Sequence, residues 1–200
     1  YGDMDTSRLM EKPVQRKKII TLSKPENKID DLWPFIKKKI ENKEQIFWVC
    51  PLIEDSNKLD FSSTAKLFKL LSEKFDKKVG IIHGSLDQNE KEKVLTEFLN
   101  NKISILVSTT VIEVGIDFPN ATAIIIENAN KFGLAQLHQL RGRIGRGEKP
   151  GTCILMFKNQ LSQNAKKRIQ ILKSSDDGFY IAEEDMRLRG YGDIIGFKQS

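Results

Sequence analysis

Short apolar runs alternate with amphipathic segments along most of the chain. Residues 17–23, 45–53, 79–83, 103–107, 121–126 and 153–157 are rich in β-branched and aromatic residues, and each is short enough to be one buried strand. Between the first two, Ile29, Leu32, Phe35, Ile36 and Ile40 mark one face of a helix. Asp30 and Asp31 suit its positive end, and Pro34 is tolerable only in its first turn. A polar loop over 54–60 precedes a second helical set, Phe61, Ala65, Phe68, Leu71 and Phe75. Ser85 stands where it would cap a third helix, whose buried face includes Val94, Leu95 and Phe98. Strands that are apolar throughout, joined by segments long enough to cross back over a sheet, predict a mainly parallel sheet with helices on both faces. Ligands of such an open α/β sandwich are expected beyond the carboxyl ends of its strands.

The two ends of the chain break this rhythm. Residues 1–16 are polar, carry Pro13 and show no sustained period, so they read as a strap leading in from a preceding domain. After residue 158 the pattern is helical only, over 162–173 and then 178–188, followed by a Gly-rich turn at 189–196. The expected organisation is a strap over 1–16, an α/β domain over 17–158 and a helical hairpin appendage over 159–200. Because the sequence opens at Tyr1 without Met or a leader and stops just after the turn, it is expected to be a piece of a longer protein.

With 39% hydrophobic and 30% charged residues in 200, and no apolar run near the roughly 20 residues that span a bilayer, membrane, collagen-like and disordered classes are excluded. Cys50 and Cys153 each sit inside an apolar run; two such thiols make neither a disulfide framework nor a zinc site and fit a reducing cytoplasm. The net charge of +6 points to an anionic partner only weakly. Arginine usage says more. Only 8 of the 33 basic Lys and Arg residues are Arg, and six of these fall between Arg141 and Arg189. A planar five-donor fork suits phosphate oxygens better than a solvated ammonium does, which places a recognition site there.

Candidate chemistry concentrates in three segments. In Gln139-Leu140-Arg141-Gly142-Arg143-Ile144-Gly145-Arg146, the arginines Arg143 and Arg146 are three apart, so on a helical turn both project the same way. Gly142 and Gly145 would let a phosphate chain or another backbone come close; the bland alternative is a solvated basic helix end. In the segment 105–117, an apolar strand ends in Ser108, Thr109 and Thr110, groups suited to a phosphate oxygen, and Asp117 follows Gly115, placed to accept from a ribose hydroxyl. Each of these signals alone is also what a cap or a turn would show. His83-Gly84 follows a strand, and since His138 is the other histidine and no Cys or Asp cluster accompanies them, an edge position near nucleic acid is favoured over a metal. No phosphate-binding loop Gly-x-x-x-x-Gly-Lys-Ser/Thr occurs, and no paired Asp-Glu follows an apolar strand to hold Mg²⁺; Glu127 is a lone acid, read as structural.

Taken in order, His83-Gly84, the run from Val107 to Asp117, and the run from Gln139 to Arg146 resemble the second RecA-like motor domain of superfamily 2 helicases and translocases, whose motifs V and VI they match closely. The tail from Asp185 to Ser200 resembles the translocation motif shared by RecG and the transcription-repair coupling factor Mfd. Tyr1-Gly2-Asp3-Met4-Asp5 with Glu11-Lys12-Pro13, and the stretch from Phe47 to Ser56, are similar to RecG rather than to Mfd.

This resemblance implies the second motor domain of an ATP-dependent double-stranded DNA translocase that remodels stalled forks and Holliday junctions in recombination and repair. It makes Arg143 and Arg146 arginine fingers, and Gly115, Asp117 and Gln139 nucleotide contacts. It puts His83, Gly84, Thr109 and Thr110 on DNA, and Arg168, Arg189 and Gln199 in coupling to translocation. ATP and Mg²⁺ would be held mainly by the first motor domain, so this chain alone is expected not to hydrolyse ATP. The implied partners are branched DNA, the first motor domain and a wedge domain of the same protein, and single-stranded DNA-binding protein, in the bacterial nucleoid. The alternatives are an Mfd motor domain, an RNA helicase of another branch, and a non-catalytic nucleic-acid-binding module. In the tail, a salt-bridge latch among Glu184, Asp185, Arg187 and Arg189 is the structural alternative.

Overall fold

The computed structural model describes residues 19–51, 57–76, 78–109, 117–144, 149–158 and 160–199, with 57–63 and 191–199 described as backbone only. Six strands form one sheet: β1 (Ile19–Pro25), β2 (Gln45–Val49), β3 (Val79–Ile82), β4 (Ile105–Ser108), β5 (Ala121–Ile126) and β6 (Gly151–Phe157). Their order is β1-β6-β5-β2-β4-β3 and every pairing is parallel. Such a sheet needs cover on both faces, because each connection must recross it. The cover comes from helices α1 (Trp33–Glu41), α2 (Asn57–Lys74), α3 (Gln88–Leu99), α4 (Leu134–Arg141), α5 (Gln163–Ser174) and α6 (Gly178–Gln199). This is the RecA-like arrangement expected from the sequence.

Alternation along the strands divides the core in two. On one face Ile46, Trp48 and Cys50 of the β2 segment meet Leu32 and Ile36 from the α1 region and Leu67 and Leu71 of α2. On the other, Phe47 and Val49 meet Phe98 of α3, Leu134, Leu137 and Leu140 of α4, Ile169 and Leu172 of α5, and Ile181 of α6. The hairpin α5–α6 is therefore built onto the same face as α4.

Four expectations are corrected. Residues 29–40 are not one helix: a 3-10 helix over Glu26–Leu32 runs into α1, and Pro34 stands near the start of α1, where a missing N–H costs no intrahelical bond. Helix α2 begins at Asn57, inside the segment read as a polar loop. Ser85 does not cap α3. Asp87 does, accepting from the Glu90 N–H at 2.8 Å while its own N–H donates to Glu90 Oε1 at 3.3 Å. Finally, α6 continues through Gln199 where a turn was expected at 189–196. A glycine weakens a helix by about 1 kcal/mol, but unlike proline it does not break one. Helix α5 is capped by Ser162, whose hydroxyl accepts from the Ala165 N–H at 3.1 Å.

Candidate nucleotide and nucleic-acid interface

All six strands point their carboxyl ends to one edge, and β3 and β4 are neighbours there. This places His83, Gly84 and Thr109 near one another at that edge. The Thr109 N–H donates to the Ile82 carbonyl at 3.0 Å and its hydroxyl lies 3.4 Å from the same oxygen, so this side chain is buried and secures the strand ends to each other. Its value at an interface then lies in the backbone it fixes. His83 is half-buried and its Nδ1 accepts from the Ser85 N–H at 3.2 Å, shaping a tight turn in which Gly84 is exposed and faces open space.

Asp117 and Arg143 lie away from this edge. The chain leaving β4 must return to the opposite end of the sheet before it can start a parallel β5. Phe118 lies at the end of that return, its carbonyl accepting from Ala121, the first residue of β5, at 3.0 Å. Its ring is buried against Phe47 and Phe98, with centroids 5.1 and 5.0 Å away. From this fixed point the Phe118 N–H donates to the carbonyl of Arg143 at 3.0 Å. Asp117 and Arg143, both half-buried, are thereby set on adjoining segments at the flank of the sheet.

Helix α4 connects the two locations. It ends at Arg141, with Gly142 as its C-cap, and Arg143 follows in a tight turn closed by its N–H on the Leu140 carbonyl at 3.0 Å. The expected sharing of a helical turn by Arg143 and Arg146 is not what positions Arg143: the helix has already stopped. Gln139 is exposed on its last turn. Thr110, Gly115, Gly145 and Arg146 lie outside the described residues.

Arg141 was counted with the recognition arginines, yet it is turned inward, only 3% exposed. Its Nη1 donates to Thr21 Oγ1 of β1 at 3.1 Å and to the Leu172 carbonyl of α5, while Nη2 donates to the Ser175 carbonyl at 2.9 Å and meets His138 Nδ1 at 3.2 Å. Burial, and then the adjacent Arg141 cation, hold the His138 imidazole below its ordinary pKa. The Cβ of any other residue at Gly178 would lie 3.3 Å from His138 Nε2, so glycine there lets α6 start close against α4.

In the hairpin, Arg168 donates to the carbonyls of Phe132 and Asn130, both at 3.3 Å, fastening α5 to the loop that precedes α4. Arg187 pairs with Glu184 at 3.3 Å and Arg189 with Asp185 at 3.2 Å, so the salt bridges weighed as an alternative do form, within single turns of α6. The arginines are exposed while the acids are largely covered, and such pairs within one helix contribute about 0.3–0.5 kcal/mol. Gln199 is in the backbone of α6.

Sequence reasoning missed one cluster at the carboxyl edge. Cys50, just beyond β2, donates its thiol hydrogen to Glu127 Oε2 at 3.2 Å, just beyond β5, and the Glu127 N–H bonds the Val49 carbonyl at 2.9 Å. Burial, and then the Glu127 charge, push the Cys50 thiol well above its ordinary pKa; burial likewise raises the Glu127 carboxyl, and it pushes Cys153 up to about 12. Neither cysteine is a thiolate nucleophile. Among the described residues no three His, Cys, Asp or Glu side chains gather as a metal site, and no helix is long and apolar enough to cross a membrane.

The chain matches the helicase conserved C-terminal domain over residues 27–148 and belongs to that family. Its likeness extends to a particular member. It is 45% identical over 202 residues to the ATP-dependent DNA helicase RecG of Bacillus subtilis (strain 168), covering 100% of this chain and 30% of that protein. With the RecG of Thermotoga maritima it shares 42% identity over 201 residues, covering 100% of this chain and 26% of the relative. The solved structure of RecG bound to a three-way DNA junction matches with a TM-score of 0.75 at 40% identity, covering 89% of this chain and 23% of that one. The helicase Lhr of Mycobacterium smegmatis, bound to single-stranded DNA and AMP-PNP, shares the fold at a TM-score of 0.57 and 18% identity, over 78% of this chain and 22% of that one. The chain thus spans less than a third of the length of the RecG relatives described. The resemblance to RecG carried by the motifs is borne out, as is the RecA-like fold.

Proposed function

We propose that this chain is the second motor domain of an ATP-dependent double-stranded DNA translocase that remodels branched DNA, in the manner of its RecG relatives. The observation that carries this reading is the hydrogen bond from Phe118 to Arg143. It sets the segment carrying Asp117, whose carboxylate suits a ribose hydroxyl, beside the turn carrying Arg143, whose guanidinium suits phosphate, at one end of a helix whose other end begins near the carboxyl edge. The donor set therefore fits a nucleoside triphosphate presented by a neighbouring domain. ATP, when bound there, supplies the phosphoryl transfer to water that drives the motor. In this chain Arg143, together with Arg146, donates to the phosphate oxygens, Asp117 accepts from the ribose, Gly115 contributes to the nucleotide contact, and Gln139, exposed on the last turn of α4, links the nucleotide to the DNA. Mg²⁺ belongs to the first motor domain.

His83, Gly84, Thr109 and Thr110 hold a strand of DNA by its phosphates. Arg168, Arg189 and Gln199 pass closure of the motor to the duplex. Residues 1–16 serve as the strap from the first motor domain, 17–158 as the motor domain and 159–200 as the translocation hairpin. The wedge domain of the full protein and single-stranded DNA-binding protein are its partners in the bacterial nucleoid, and the isolated chain is catalytically silent.

Substituting Arg143→Ala and Arg146→Ala together in the full-length protein tests the reading. Loss of arginine fingers lowers ATP turnover by about 10³–10⁵, with DNA affinity largely kept. If the chain is a nucleic-acid-binding module instead, DNA affinity falls, its salt dependence becomes shallower, and ATP turnover is undisturbed.

A further inference from the structure

We infer that Arg141 is a positioning residue, a joint through which the turn carrying Arg143 is linked to strand β1 and to the linker between α5 and α6. The inference rests on the motor reading above. Its basis is a set of acceptors drawn from separate elements: Thr21 on β1, Leu172 in the last turn of α5, and Ser175 in the α5–α6 linker, with His138 on its own helix. Among the described residues its ion-pair partner is Asp176, at 3.7 Å and itself 47% exposed.

A merely stabilising role accounts poorly for the choice of residue. Taking a cation out of water is costly, and well-packed apolar side chains often replace buried ionic groups without loss. Arginine gains here from its fork, which reads several carbonyl and hydroxyl oxygens at fixed angles. Two of those oxygens belong to the end of α5, where helix carbonyls lack intrahelical partners and a cation is favoured. The same side chain reaches Thr21, so β1 and the hairpin linker meet at one guanidinium.

From Arg141 the path to the nucleotide flank is short. The Gly142 N–H bonds the His138 carbonyl at 3.1 Å, the Arg143 N–H bonds Leu140, and the Arg143 carbonyl receives the Phe118 N–H. Each link is a hydrogen bond or a covalent step, so movement of the Arg143 turn cannot leave the linker over Ser175–Gly178 unaffected. Asp177 starts α6 by accepting from the Phe179 N–H at 2.9 Å, which places the response at the root of the long helix.

The test uses the full-length protein and two variants, Arg141→Lys, which keeps the charge but cannot span the acceptors, and Arg141→Met. Base pairs opened per ATP hydrolysed are measured on forked DNA. Hydrogen exchange of the amides over residues 173–178 is followed with and without AMP-PNP and the fork. In the parent protein the analogue changes protection over 173–178. Both variants lose that change, and base pairs opened per ATP fall about tenfold, the scale of a typical coupling energy. A role confined to capping α5 predicts instead that opening and hydrolysis fall in proportion, leaving their ratio intact, and that result overturns the inference. If the variants do not fold, Thr21→Val removes one acceptor with little change of volume and must lower the same ratio. A parent protein that hydrolyses no ATP on DNA sinks the motor reading itself, whereas an active parent with fully coupled variants sinks only the role of Arg141.

Discussion

The N–H of Phe118 donates to the carbonyl of Arg143 at 3.0 Å, and the ring of Phe118 is 1% exposed between Phe47 and Phe98. The same residue thus belongs to the core by its side chain and fixes the turn of Arg143 by its backbone. Phe118→Ala is expected to cost about 3–5 kcal/mol of folding stability, from lost transfer energy and the cavity left behind. Because the cavity frees the backbone that holds Arg143, ATP turnover of the folded full-length variant also falls. Urea unfolding gives the first quantity and steady-state hydrolysis at saturating DNA the second. Retained turnover would show that Arg143 is held by something else.

The start of α3 offers a cleaner test of local structure. Asp87 and Glu90 exchange hydrogen bonds across the first turn, whereas Ser85 binds His83 through its backbone N–H. Asp87→Ala should destabilise the protein by about 1 kcal/mol, the usual value of an N-cap, and Ser85→Ala should leave unfolding midpoints nearly unchanged. Equal effects from the two substitutions would restore Ser85 as the cap.

These cases show where sequence was sufficient and where it was not. Strand β5 has the bounds read from its apolar run, Ala121–Ile126, because every residue in it is buried and Thr122 is its one polar side chain. The cap of α3 was legible in Asp87-x-x-Glu90 but Ser85, two residues earlier, has an equally good capping side chain, and only geometry separates them. Arg141 shows a deeper limit. An arginine looks the same in a sequence whether it faces phosphate or core, and its acceptors arise from the end of a helix 31 to 34 residues further on. The offset of Asp117 and Arg143 from the carboxyl edge follows from parallel pairing, which forces the chain after β4 back across the sheet, although the motif spacing alone does not say where on that return Asp117 falls.

His138 makes stability depend on pH. With its folded pKa held below the ordinary 6.5, the unfolded state binds the proton more readily. The stabilising contribution is complete above pH 6.5 and is lost as pH falls through the folded value. Unfolding midpoints should therefore drop on acidification from pH 7.5 to 5.5, and His138→Gln should remove part of that drop. An unchanged slope in the variant would mean that the imidazole does not titrate with folding.

Glu127 acts in the opposite sense. Its carboxyl is raised by burial, so the folded state holds the proton longer than the unfolded state does. A raised carboxyl favours folding below its unfolded pKa of 4.5, and that contribution is lost as pH rises through the folded value, so the ionised group is a burden at neutral pH. Glu127→Gln keeps an amide oxygen to accept from the Cys50 thiol while removing the charge. The variant should be as stable as the parent protein or more so at pH 7.5, with the difference shrinking toward pH 4.5. Guanidinium unfolding at the two pH values separates this from the alternative, in which the charge at the ends of β2 and β5 is itself required and the variant is weakened at neutral pH. Since the Cys50 N–H also donates to the Ser108 carbonyl at 2.8 Å, next to Thr109, DNA affinity of the same variant reports whether the burden is kept to shape the edge proposed to hold DNA. A gain in stability accompanied by weaker DNA binding would place Glu127 in that role.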